Sequence, residues 1–162
     1  MTTAVYPGSF DPITNGHLDI VTRAAKLFEK VVIGVYDIPA AKDILFTVEE
    51  RVEMVRQSAA DLPNVGVESF SGLVVDFARR VGAHTIVRGL RLITDFEREF
   101  EMALMNKKLY PDCEVVCLMA SQKYQFLSSS LLKEVASLGG DINDLVPEAV
   151  VLSLKEKVGA KI

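Results

Sequence analysis

Residues 8–17 read GSFDPITNGH and bring a glycine, a hydroxyl and an imidazole into one short stretch. Gly8 lets backbone come close to a ligand, and Ser9 sets a hydroxyl beside it. Asn15-Gly16-His17 stands where an amphipathic helical pattern begins. Unpaired N–H groups and the helix dipole favour an anion there, and His17 could add a side-chain N–H. The plainer alternative makes Asn15 an N-cap and His17 a surface residue. Farther on, RGLR (88–91) sets Arg88 and Arg91 around Gly89-Leu90 just past a buried apolar run, and Lys42 lies in another such loop. Solvated surface charge is the alternative for all three. Ser128-Ser129-Ser130 opens a later helical pattern, where Ser129 and Ser130 would make another anion-ready terminus or simply cap it. Neither GxGxxG nor GxxxxGK[ST] is present, so the two common phosphate loops are excluded as sources of this chemistry.

These residues need a scaffold, and the hydrophobic pattern supplies one. Strand-like runs recur as TAVY (3–6), VVIGVY (31–36), VGVESF (65–70), TIV (85–87) and EVVCLM (114–119). Several are continuously apolar and β-branched, as strands covered on both faces are. Helical stripes lie between them, with Leu18, Val21, Ala25 and Phe28 on one face and Val48, Val52, Val55 and Ala59 on another. Thr47–Glu50 and Thr94–Glu97 have capping-box spacing, Gly139-Gly140 stops a helix over about 130–138, and Pro147 suits the start of a last helix near 147–157. The alternation predicts one α/β domain over residues 1–162: a doubly wound, five-stranded and mostly parallel sheet with helices on both faces. Ligands of such sheets bind beyond the carboxyl ends of the strands, near the point where strand order reverses. The loops to watch are therefore 7–16, 37–46, 71–73, 88–94 and 120–129.

Composition narrows the function classes. With 22 acidic against 18 basic residues, the net charge of -4 argues against a general nucleic-acid surface. It leaves room for a local cationic pocket. No apolar run reaches a membrane span and no signal segment is legible, so a cytoplasmic protein with no membrane partner is expected. Cys113 and Cys117, four apart on one strand face, read as packing thiols, and two histidines supply a zinc site poorly.

GSFDPITNGH resembles the GxFxPxxxGH form of the HIGH motif of nucleotidyltransferases with a Rossmann-like fold. The SSS of FLSSSLLKEV (126–135) is similar to their second signature, a Ser/Thr-Ser-Ser/Thr opening a late helix. With RGLR followed by DFERE (95–99), the set resembles the bacterial phosphopantetheine adenylyltransferase family from Val5 to about Lys157. The resemblance implies transfer of the adenylyl group of ATP to 4′-phosphopantetheine, giving dephospho-coenzyme A and pyrophosphate. It also implies Mg²⁺ with the ATP and no protein ligand nominated, coenzyme A as a feedback inhibitor, and a homohexamer.

By the same resemblance, His17, Lys42, Arg88 and Arg91 are the catalytic residues. Lys42 and Arg88 would hold the acceptor phosphate with Ser9, while Leu73, Val74 and Asn106, with Met105, would line the pantetheine arm. ATP would meet Ser9, Phe10, His17, Gly89, Leu90, Arg91, Glu99 and the segment Tyr124, Gln125, Phe126, Leu127, Ser128, Ser129 and Ser130. Ser9 replaces a frequent Thr, Tyr124 a frequent Trp, and Arg98 stands where some relatives have an aromatic. Asp11 and Asp95 would orient neighbours or simply cap. The nearest alternatives are a glycerol-phosphate cytidylyltransferase and a nicotinamide mononucleotide adenylyltransferase; RGLR…DFE and Lys42 favour the pantetheine family. A nucleotide sensor on the same fold would be expected to lose His17 or the cationic trio.

Overall fold

The computed structural model describes residues 2–38 and 43–159, apart from the side chains of Ile93 and Thr94. Strands β1 (Thr3–Gly8), β2 (Lys30–Tyr36), β3 (Val65–Phe70), β4 (Thr85–Leu90) and β5 (Glu114–Met119) alternate with helices for most of the chain. The helices are α1 (Asn15–Leu27), α2 (Val48–Ser58), α3 (Val74–Arg80), α4 (Ile93–Leu109), α5 (Ser129–Ser137) and α6 (Glu148–Gly159). The sheet order is β3-β2-β1-β4-β5, and every neighbouring pair is parallel.

Two-sided burial explains the apolar runs of β1, β2 and β4, whereas the edge strands β3 and β5 stay partly exposed. Ala4, Tyr6, Val31, Ile33 and Val35 point into a core completed by α1, α2, α5 and α6. Val5, Val32 and Ile86 point the other way, onto Val74, Val75, Phe77 and Ala78 of α3. The first crossover runs outward to β2 and β3, and the chain then returns to lay β4 on the other side of β1. That reversal between β1 and β4 opens a crevice at their carboxyl ends.

Several local expectations needed correction. The N-cap of α1 is Thr14, and Asn15 is already helical. The start of α4 precedes Thr94: the Asp95 carboxylate accepts the N–H groups of Arg91 and Leu92, and Leu92 is the cap. In α1 the deeply buried residues are Ile20, Val21 and Ala24, while Leu18 and Phe28 pack at the edge of the core. Cys113 is buried just ahead of β5, but Cys117 is exposed, so one thiol packs and the other does not. The Thr47 capping box forms as read. Gly139 takes a left-handed φ of 78°, and the Gly140 N–H closes onto the Val135 carbonyl at 2.9 Å. Among the described residues no helix is long and apolar enough to cross a membrane.

Gly34, in the interior strand β2, has a packing reason. A Cβ there would lie 2.5 Å from the Phe77 ring and 2.9 Å from the Phe70 ring, which stack on each other. Gly34→Ala is therefore expected to destabilise the fold by about 1–3 kcal/mol, read from the denaturant midpoint, because both rings are buried and stacked. An unchanged midpoint would mean the rings shift freely.

Candidate active site

A cleft of about 310 Å³ opens at the ends of β1 and β4. Its walls come from three strand-to-helix junctions that are distant in sequence, within residues 6–20, 88–99 and 120–130. A second hollow, of about 410 Å³, adjoins it across Ser9, Phe10, His17, Ser129 and Ser130, and adds Asp11, Asp43, Ile44 and Lys133. These five residues stand between two spaces.

His17 owes its pose to the start of α1. Thr14 Oγ1 accepts the His17 N–H at 3.3 Å, and the Thr14 N–H donates to His17 Nδ1 at 3.1 Å. This is a capping box with histidine where glutamate or glutamine is usual. A backbone N–H can only donate, so Nδ1 accepts and a neutral ring carries its hydrogen on Nε2. The Phe10 ring meets the imidazole edge-on, with centroids 5.2 Å apart. Phe10 is buried, in the left-handed region at φ 47°, and a Cβ on Gly8 would come within 2.9 Å of its ring. Gly8 thus makes room for the support beneath His17 as well as lining the cleft. The Asn15 N–H and side-chain amide go to the carbonyls of Leu145 and Asp144, both at 2.9 Å, which pins the helix start to the loop before α6.

The two arginines are held by α4. Arg88 Nε and Nη2 donate to the two Glu99 oxygens at 2.7 and 2.6 Å, and Nη1 donates to the Pro7 carbonyl at 3.0 Å. Burial works against the Arg88 charge, but the Glu99 hydrogen bonds and carboxylate outweigh it and raise the guanidinium pKa. Arg91 pairs with Asp95 at 3.4 Å and donates to the Leu127 carbonyl at 2.8 Å, tying β4's end to the loop after β5. Tyr6, beneath them, has its phenol pKa pushed up by burial, with the arginine charges opposing.

At α5 the capping falls to Ser128, whose hydroxyl accepts the Leu131 N–H at 3.1 Å. Ser129 and Ser130 are thereby relieved of that role. Ser129 Oγ donates to the Pro12 carbonyl at 2.8 Å, and Ser130 lines both hollows.

Of the other residues picked out from sequence, Ser9, Gly89, Tyr124 and Leu127 line the cleft. Leu90 is buried behind it, Phe126 is exposed, and neither it nor Gln125 reaches the lining. Leu73 and Val74 open α3 beyond β3, at the far edge of the sheet, and Met105 and Asn106 lie late on α4; none of the four lines the cleft. Lys42 lies outside the described residues; its neighbour Asp43 borders the second hollow.

Three supporting residues escaped the sequence reading. Arg51 is 1% exposed and donates to the carbonyls of Ser9, Tyr36, Phe46 and Asp37. Lys133, of α5, pairs with buried Asp11 at 2.7 Å, and Asp11 in turn accepts the N–H groups of Leu45 and Phe46. Thr14 is the third, and the T-x-x-H interval of a capping box was the signal that could have found it.

Residues 5–135 match the cytidylyltransferase-like family model. The chain is 58% identical over 159 residues to the phosphopantetheine adenylyltransferase of Heliobacterium modesticaldum, covering 98% of this chain and 94% of that one. The chain belongs to the phosphopantetheine adenylyltransferase family. The enzyme of that name from Moorella thermoacetica is 57% identical to this adenylyltransferase over 162 residues, covering 98% of one chain and 99% of the other. A solved structure of a candidate nicotinate-nucleotide adenylyltransferase from Vibrio parahaemolyticus superimposes with a TM-score of 0.72 at 18% identity, over 100% of this chain and 98% of that one. The latter shows the shared fold, and this chain is a nucleotidyltransferase by its family.

Proposed function

We propose that this enzyme transfers the adenylyl group of ATP to 4′-phosphopantetheine, giving dephospho-coenzyme A and pyrophosphate, the step before the last in coenzyme A synthesis. The observation that carries this reading is the meeting of His17, Arg88, Arg91 and the α5 serines in one cleft at the strand-order reversal of a chain from this family.

An acceptor phosphate oxygen attacks the α-phosphorus in line; one P–O bond forms as the bond to the β-phosphate bridging oxygen breaks, and pyrophosphate leaves. No covalent enzyme intermediate is needed. A phosphomonoester with a second pKa near ~6 is largely dianionic at neutral pH, so no base is required. The difficulty is bringing two polyanions together. A unit charge pair at ~4 Å is worth on the order of 4 kcal/mol at an effective dielectric of ~20, and several such repulsions need local cations. Arg88 and Lys42 hold the acceptor phosphate beside Ser9, Arg91 and Ser128–Ser130 take the nucleotide phosphates, and His17 donates from Nε2 to the α-phosphate as charge builds there. Phe10, Gly89, Leu90 and Tyr124–Leu127 accompany the nucleotide, while Leu73, Val74 and Asn106 receive the pantetheine arm where it leaves the cleft.

Mg²⁺ enters with the nucleotide as part of the substrate. The donor set suits that: Asp95 and Glu99 are engaged by the arginines, and the described residues contain no group of three or more His, Cys, Asp or Glu that could cage an ion. A hard ion that keeps its waters and takes phosphate oxygens needs no cage.

We further place residues 1–162 in one domain working in the cytoplasm as a homohexamer, inhibited by coenzyme A and without a nucleic-acid or membrane partner. Leu92, Phe96, Phe100 and Leu104, four residues apart and each more than 50% exposed, form an apolar stripe along α4 that supports burial between subunits.

Pyrophosphate release tests the reaction. Turnover is expected with ATP, Mg²⁺ and 4′-phosphopantetheine, and none with CTP and glycerol 3-phosphate or with ATP and nicotinamide mononucleotide. Activity only in one of the latter pairs would keep the fold and reassign Arg88 and Lys42.

A further inference from the structure

The loop after β5 supplies Ala120, Tyr124 and Leu127 to the cleft wall. It crosses the start of α1: a Cβ placed on Gly16 would stand 3.4 Å from Tyr124 Cβ and 3.9 Å from Leu127 Cδ2. Its far end is tied down where Arg91 donates to the Leu127 carbonyl at 2.8 Å. Its near end is tied down by a different pair, Asp19 and Arg23, one helical turn apart on α1. Arg23 Nη1 donates to Asp19 Oδ2 at 3.2 Å and to the Met119 carbonyl at 2.7 Å. The Ser121 hydroxyl donates to the same Asp19 oxygen at 2.7 Å. The Ser121 carbonyl accepts the Tyr124 N–H at 2.8 Å and so closes the single turn Gln122–Tyr124. We propose that Asp19 is a positioning residue for nucleotide binding: it acts through Ser121 and, with Arg23, seats this loop so that Tyr124 and Leu127 stand at the width the nucleotide needs.

Asp19, Arg23 and Ser121 do not line the cleft, so their influence on a ligand passes through the loop. Folding stability does not account for the cluster. The Asp19 and Arg23 side chains are 22% and 37% exposed, and an ion pair so open to water adds little to folding. What it adds is register. β5 is an edge strand, and its pairing with β4 ends where the Ala120 N–H donates to the Leu90 carbonyl at 2.7 Å. Past that point α1 gives the chain a second attachment, on the helix that also carries His17. One rigid element thereby holds both the nucleotide-side wall and the imidazole opposite it. The proposal rests on reading Tyr124–Leu127 as neighbours of the nucleotide.

Calorimetric titration of the full chain with ATP, and separately with 4′-phosphopantetheine, tests it beside a thermal midpoint for each variant. Ser121→Ala is expected to weaken ATP about five- to tenfold, the loss of one hydrogen bond to a charged group. Affinity for 4′-phosphopantetheine should stay within about twofold of wild type, and the midpoint within about 2 °C. Ser121→Thr, which keeps the hydroxyl, should restore most of the ATP affinity. Asp19→Ala should weaken ATP at least as much as Ser121→Ala, since it also releases Arg23. Adding Ser121→Ala to Asp19→Ala should cost little more, because the hydroxyl acts only through the carboxylate. Unchanged ATP affinity in Ser121→Ala, or losses that multiply in the double variant, would overturn the proposal. So would equal weakening of both ligands with a falling midpoint, the mark of a merely structural cluster. Wild type that binds 4′-phosphopantetheine but not ATP would instead sink the proposed nucleotide, and this assignment with it.

Discussion

His17→Ala is expected to lower kcat by about 10²–10³-fold while moving either KM by no more than a few fold, the loss found when one preorganised donor to a transition-state oxyanion is removed. The asymmetry follows from how the imidazole is held. Its Nδ1 is occupied by the Thr14 N–H and its ring rests on Phe10, so the neutral side chain presents an Nε2 hydrogen without reorganising. Charge on the α-phosphate oxygens grows only as the fifth oxygen closes on phosphorus, so the contribution is realised late. Structural damage must be separated from this, because the same nitrogen helps cap α1. His17→Gln does so. Glutamine is the ordinary residue at that position of a capping box and can take the Thr14 N–H through its carbonyl oxygen. Its thermal midpoint should stay near wild type while kcat remains low. Steady-state kinetics in both substrates decides: a KM rise of ten-fold or more with kcat intact would make His17 a ground-state contact and overturn the donor role.

Strand placement was legible because burial on both faces of the inner strands leaves an unbroken apolar run, and a parallel sheet fixes which strand ends carry loops, whereas the strand order came only with the fold. The loops at 7–16, 88–94 and 120–129 converge because β1, β4 and β5 are consecutive in the sheet. The loop at 71–73 does not, since β3 lies two strands from β1 on the other side. Sequence order alone carries no such distance. The side chains that hold the site were harder to read. Asp95 and Glu99 look like surface acids on a charged helix, and only the return of β4 beside α4 turns them toward Arg91 and Arg88. Lys133 sits 122 residues from its partner Asp11, with no periodic cue linking them. Asn15, the alternative cap, lies one residue too late, and the box that forms joins Thr14 to His17.

Arg51 was the least legible and predicts the largest loss of stability. It falls beside Val48, Val52 and Val55 in a charged helix, where an arginine ordinarily lies in water. Here it is 1% exposed, and its four hydrogen bonds of 2.7–3.1 Å reach carbonyls in three separate segments. Burial lowers its pKa, while the Asp11 and Asp37 carboxylates pull the other way. Arg51→Met keeps the length and the apolar stem but strands the carbonyls of Ser9, Tyr36, Asp37 and Phe46. Each stranded group costs about 1–3 kcal/mol when buried, so a total near 3–5 kcal/mol is expected after relaxation and water entry. For a chain of this size that lowers the midpoint by roughly 6–20 °C in scanning calorimetry. Arg51→Lys should fall between, since one ammonium cannot reach four carbonyls set around a planar fork. Because the Ser9 carbonyl is among the four, the Met variant should also lose kcat/KM well below its midpoint, where the fold is intact. A midpoint shift below about 2 °C would mean that water replaces the guanidinium at little cost, and Arg51 would then be a solvated group that happens to be covered.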